Sequence, residues 1–132
     1  VHPAILSEGG LGPALRALAD RTPAAVEVVE APSGRLPAPI EAAAYFVASE
    51  ALTNALKHAG AEHITISARR QNGALTIAVA DDGVGGADVR LGSGLRGLSD
   101  RVEALGGRLR INSPPDAGTA VTAVFPLDRG VA

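Results

Sequence analysis

Glu50, Asn54 and Lys57 interrupt a stretch otherwise built from Ile40, Ala44, Val47, Ala48, Ala51, Leu52, Ala55 and Leu56. Spacings of four and three put a carboxylate, an amide and an ammonium on one stripe of a helix. On a mostly apolar helix such a stripe is costly unless it is exposed or paired. Two readings follow. One is a solvated face with a loose Glu50–Lys57 neighbourhood, worth little to stability. The other is a site for a metal–phosphate ligand. An amide oxygen and a carboxylate suit Mg²⁺, which takes few protein ligands and keeps several waters. An ammonium beside them suits phosphate oxygens. Lys57 is also the single lysine among twelve basic residues.

A second group lies at the end of an apolar strand. Asp81 and Asp82 are followed within twelve residues by Gly83, Gly85, Gly86, Gly92 and Gly94. Glycine allows positive φ and close backbone approach, and successive free N–H groups make a nest for an anion. A helix starting near Leu95 adds its N-terminal N–H groups. The alternative is an ordinary surface loop. Gly92-Ser-Gly94-Leu-Arg-Gly97 matches GxGxxG literally. A dinucleotide fold, however, needs a strand directly before the first glycine and a parallel βαβ unit, and this sequence offers neither. GxxxxGK[ST] and HExxH are absent.

The elements that must position these groups are legible from periodicity. Residues 1–10 form a lead-in closed by Gly9-Gly10. Leu11, Leu15 and Leu18 predict a helix to about Arg21, and Val26, Val28 and Val29 a short strand. Residues 31–39 are a Pro- and Gly-rich loop. The longest helical signal runs from about Pro39 to His58, with Gly60 as its stop. Two alternating strands, around 64–68 and 75–80, flank the hairpin signal Asn72-Gly73. A helix over about 95–105 closes at Gly106-Gly107. Strands at about 108–113 and 119–126 flank the turn at 114–118. Antiparallel strand pairs with segregated helices predict an α+β sandwich, its mixed sheet covered by helices on one face.

Composition narrows the function classes. The chain has 132 residues, enough for one domain. Hydrophobic residues make up 46% and charged residues 20%, which predicts a folded chain. A net charge of -2 argues against binding nucleic acid or anionic lipid through bulk positive charge. Zero cysteines exclude disulfides, Cys-ligated zinc and thiol nucleophiles. No apolar stretch reaches the roughly 18 residues of a membrane span, and no signal peptide opens the chain. With two Phe, one Tyr and no Trp, a planar ligand cannot rely on an aromatic sandwich. Val1 is not an initiator Met, so the chain is read as a piece of something longer.

Taken together, EALTNALKHA (50–59), DDGVGG (81–86), GSGLRGLSDR (92–101) and GTAVTAVFPL (118–127) resemble the N box, G1 box, G2 box and closing Gly-Thr strand of the ATP-binding domain of sensor histidine kinases. The resemblance covers about residues 40–127. It implies the two-layer Bergerat fold of the wider ATPase superfamily shared with gyrase and mismatch-repair ATPases. The segment 2–15 and the six residues between Gly85 and Gly92 look like the subgroup that pairs with helix-turn-helix response regulators. On this reading the whole chain is one ATP-binding catalytic domain, with 1–10 a remnant of the linker to a missing dimerisation domain.

The resemblance assigns roles one residue at a time. Asn54 matches the N-box Asn that binds Mg²⁺. Glu50 matches the N-box acid that orients a water, or acts as a base, near the γ-phosphate, and it stands beside the metal. Lys57 matches a basic position that approaches phosphate, and His58 follows it as in the subgroup. Asp81 matches the acid that accepts a hydrogen bond from the adenine amino group. Gly83 and Gly85 let the chain turn beneath the nucleotide. Gly92 and Gly94, with Leu95 opening the next helix, match the lid near the phosphates. Thr119 matches the threonine beside the base. Asp82 stands where the family often carries Asn. Its extra negative charge is expected to alter lid contacts or weaken ATP binding somewhat.

Three histidines are present, and none is the phosphoacceptor. His2 precedes a proline, His58 belongs to the N box and His63 opens a strand. The resemblance therefore implies a histidine kinase's catalytic half, cytoplasmic and using ATP and Mg²⁺. Its partners would be the dimerisation and phosphoacceptor domain of the same protein and a cognate response regulator, with no nucleic acid and no membrane contact. An anti-sigma-factor serine kinase of the same fold and a degenerate nucleotide-binding module are the competing readings.

Overall fold

The structure is a computed structural model and describes residues 4–83 and 93–127. Helix α1 (Ala4–Gly9) and helix α2 (Leu11–Arg21) lead into strand β1 (Ala25–Glu30) and the long helix α3 (Ala38–Asn54). A π-helical turn, Ala55–Ala59, extends α3. Strands β2 (His63–Gln71) and β3 (Ala74–Asp81), helix α4 (Ser93–Ala104), and strands β4 (Arg108–Asn112) and β5 (Thr119–Pro126) complete the chain. The five strands form one sheet in the order β1-β2-β3-β5-β4. Only β1 and β2 pair in parallel, and every other neighbour is antiparallel. This is the α+β sandwich that the strand pairs predict.

The pleat decides which face is covered. Ile64, Ile66 and Ala68 on β2, Leu75, Ile77 and Val79 on β3, and Val121, Ala123 and Phe125 on β5 are all buried. They share one face of the sheet, as period-2 alternation requires. Against them lie Leu11 and Leu15 of α2, Val47, Ala48, Ala51 and Leu52 of α3, and Leu98 and Val102 of α4. Each fully buried Leu, Ile or Phe contributes about 2–3 kcal/mol of transfer free energy. The opposite face carries no helix among the described residues. It shows Val29 and Val124 to solvent at 59% and 39% exposure.

Local chemistry accounts for the joints. Asn72 and Gly73 both take positive φ, 55° and 74°, the type I′ geometry that Asn-Gly favours in a two-residue hairpin. Gly60 stops the π-helical turn in the left-handed region at φ 62°. Residues 4–9 of the lead-in are helical, and Leu6 is built into the core. Arg101 stacks over the Phe46 ring at 4.0 Å, tying α4 to α3.

Glu41 is the buried charge among the described residues, 1% exposed. Its Oε2 accepts from Arg35 Nε and from the Leu36 backbone N–H, both at 3.1 Å, and its Oε1 accepts from Arg35 Nη2 at 3.0 Å. The proline-rich loop is thereby pinned to the first turn of α3. Burial pushes this carboxyl up, but the Arg35 hydrogen bonds, the Leu36 N–H and the Arg35 charge together hold it below the usual range.

Candidate functional site

Glu50 and Asn54 sit one turn apart near the C-terminal end of α3, and both are half-buried. Asn54 is the last α-helical residue. Its Nδ2 is enclosed and has no hydrogen-bond partner. A buried donor left unpaired costs about 1–3 kcal/mol, so a folded chain keeps one only where something else satisfies it. Lys57 lies in the π-helical turn and is exposed. Glu50 and Asn54 thus precede the change of winding, and Lys57 follows it. His58 is in the same turn; its side chain lies outside the description. Among the described residues, neither Glu50 nor Lys57 has an ion-pair partner.

Asp81 ends β3, half-buried, with Ile64 of β2 on one side and Thr119 of β5 on the other. Its Oδ1 accepts the Gly83 N–H at 2.8 Å, which leaves Oδ2 without a partner among the described residues. Thr119 Oγ1 lies 2.6 Å from Ser113 Oγ, across the end of the β4–β5 pair. Ser113 is a neighbour that the residue pattern does not single out. The hairpin register would have found it, because Asn112 pairs with Ala120 and the next pair outward is Ser113 with Thr119. Gly118 is buried at φ 76°, and a Cβ there would run into the Asp81 carbonyl oxygen. The tight passage of Gly118 under Asp81 sets where the carboxylate stands. Gly118→Ala is expected to cost about 2–3 kcal/mol through φ strain and displacement of Asp81. A urea midpoint equal to that of the parent would refute this.

Gly85 and Gly92 lie outside the described residues, so the glycine loop between Gly83 and Ser93 is not placed. Gly94 and Leu95 belong to the first turn of α4.

Asp82 is held by its neighbours. Its Oδ1 accepts the N–H groups of Glu62 and His63 at 2.9 and 3.0 Å, and its Oδ2 lies 3.0 Å from His63 Nδ1. The carboxylate is engaged in joining the start of β2 to the end of β3, and is not a loose charge beside Asp81. The His63 and Glu62 backbone donors, then the His63 ring, lower its pKa to about 2. Asp82 and Glu41 both bind protons less readily folded than unfolded. The stability they contribute is complete above about pH 5 and is lost as pH falls through their folded values. Urea midpoints should therefore be flat from pH 7 to 5 and decline below about 4, with the decline reduced in Asp82→Asn. A midpoint that rises on acidification would contradict this.

Among the described residues no cluster of three or more His, Cys, Asp or Glu stands ready for a metal. A hard cation at Asn54 and Glu50 would need phosphate oxygens and water for the rest of its shell, and that is how Mg²⁺ usually binds. The Asn54 amide oxygen and the Glu50 carboxylate are ligands of the kind that demand calls for, while the enclosed, partnerless Nδ2 is a donor that suits a phosphate oxygen and not the metal.

Residues 40–129 match the family of histidine kinase-, DNA gyrase B- and HSP90-like ATPases, and the chain belongs to it. An uncharacterised sensor-like histidine kinase of Chloroflexus aurantiacus is 37% identical over 86% of this chain and 21% of its own length. The sensor histidine kinase MctS of Rhizobium johnstonii is 37% identical over 96% of this chain and 30% of its own. Among solved structures, the blue-light-activated histidine kinase of Erythrobacter litoralis EL346 superposes with a TM-score of 0.76 at 26% identity, covering 92% of this chain and 42% of that one. The chain thus spans less than a third of the length of these two curated relatives. Among the described residues no helix is long and apolar enough to cross a membrane.

Proposed function

We propose that this domain binds Mg·ATP between the C-terminal end of α3 and the strand ends at Asp81 and Thr119. It would present the γ-phosphate to a histidine on a separate dimerisation domain of the same sensor kinase. The observation that carries the reading is Asp81, with Oδ1 fixed by Gly83 and Oδ2 without a partner among the described residues, at the end of the sheet. A carboxylate acceptor suits the exocyclic amine of adenine. Guanine presents a carbonyl there and would meet it acceptor to acceptor. Asn54 would hold Mg²⁺ with Glu50 beside it. Lys57, with the nearby His58, would approach the phosphates. Gly83, Gly85, Gly92, Gly94 and Leu95 would shape the backbone around the nucleotide, with Thr119 beside the base. Mg²⁺ would supply charge neutralisation of the phosphates, and the chain's own task is positioning.

The whole protein is read as a cytoplasmic two-component kinase whose phosphoryl group passes to a cognate response regulator of the helix-turn-helix subgroup. The names of the relatives favour this over the serine-kinase reading. Calorimetric titration with ATP and GTP, each with and without Mg²⁺, tests it. ATP-selective, Mg²⁺-strengthened binding supports the reading. Equal affinity for the two nucleotides would sink the assignment of Asp81.

A further inference from the structure

A concavity lies on the face of the sheet without helices, at the end away from Asp81. It encloses about 560 Å³ between the Asn72-Gly73 hairpin, the turn after α4 and the outward residues of β4 and β5. That volume falls in the range of small-molecule sites. The eight residues of β3, Ala74 to Asp81, separate the two ends by on the order of 24 Å.

Its chemistry is one-sided. Arg108 and Arg110 project from β4 on the same face, two residues apart, and line the cavity. Neither has a salt-bridge partner among the described residues. Arg69, on the same face, is by contrast paired with Glu30 at 3.0 Å. No acidic residue is part of the lining. Thr122, opposite Arg110 in register, adds a hydroxyl, while Val124 and Pro126 supply an apolar floor. Val124 is among the two large apolar side chains exposed in the structure, at 39%. Arginines on an edge strand also deter pairing with other chains, but that role needs neither a cavity nor an apolar floor.

We propose that this cavity is a binding site for a phosphate monoester of small-molecule size, distinct from the nucleotide site. Two guanidinium forks about 7 Å apart along the strand can share the oxygens of one phosphate. A dicarboxylate offers the same charge in a less compact form. The organic part of the ester lies on Val124 and Pro126.

Amide NMR titration of the 132-residue chain with phenyl phosphate tests this, with Mg·ATP saturating the other site and succinate as the dicarboxylate arm. Saturable shifts are expected at Gly106, Gly107, Thr122 and Val124, with a Kd of about 1 mM or tighter. The double variant Arg108→Gln, Arg110→Gln should weaken binding at least about tenfold, with ATP affinity unchanged. Arg110→Lys keeps the charge but loses the fork, and should also weaken it. Absence of saturable shifts at these residues, or affinity indifferent to the arginine variants, overturns the site. Succinate binding as tightly as phenyl phosphate overturns the phosphate assignment.

Discussion

Replacing Asp81 by asparagine is expected to lower ATP affinity about 100-fold and leave the fold intact. The two carboxylate oxygens have different tasks. Oδ1 accepts the Gly83 N–H at 2.8 Å, and an asparagine Oδ1 accepts it equally well, so the turn after β3 survives. Oδ2 is the atom left open, and in the variant an NH₂ group stands there. It would face the adenine amine donor to donor. A hydrogen bond to a charged group is lost and a donor is left unpaired, together about 3 kcal/mol. Calorimetric titration of parent and variant reads the loss, and the urea midpoint checks the fold. A variant that binds ATP like the parent would show that the base does not sit at Asp81.

How far the residue pattern foretold this site depends on which physical term decided each part. Asn72-Gly73 was legible because only a few residue types tolerate two successive positive φ values, and both are positive here. The sheet faces were legible because alternation in β2 and β3 has period two and one face is buried. The end of the long helix was not. α-Helical and π-helical turns carry the same helix-forming residues, and α3 is apolar nearly all round, so periodicity had little to mark where the winding changes at Ala55. Lys57 lies beyond that change, whereas Glu50 and Asn54 precede it. The partners of Asp82 were hidden for a different reason. Its charge is visible in the sequence, but its partners, Glu62 and His63, lie about twenty residues away and meet it only once β2 and β3 pair. The Arg35–Glu41 pair hides inside a loop and a helix start in the same way. Local chemistry is readable in one dimension; a charge's environment is set by the pairing of distant segments.

Asn54→Leu should separate stability from function at one position. In the parent, Asn54 Nδ2 is enclosed without a partner at the end of α3. Leucine has similar volume, forms helix well and carries no donor to strand. The variant is therefore expected to match or exceed the parent in unfolding free energy, by up to about 1 kcal/mol. Few half-buried polar-to-apolar changes at a helix end near other polar groups are predicted to be this mild. The same change removes the amide oxygen that would hold Mg²⁺ beside Glu50. The gain in ATP affinity on adding Mg²⁺ should fall by about 10–100-fold, while metal-free ATP binding, which on the proposed reading rests on Asp81, changes little. A buried polar group kept at a cost to stability marks a position held for ligand binding. If Asn54→Leu were strongly destabilised, the amide would be a structural group with a partner in solution. If it were stable and still responded to Mg²⁺ like the parent, the metal would sit elsewhere. Urea unfolding and paired titrations with and without Mg²⁺ distinguish the three cases.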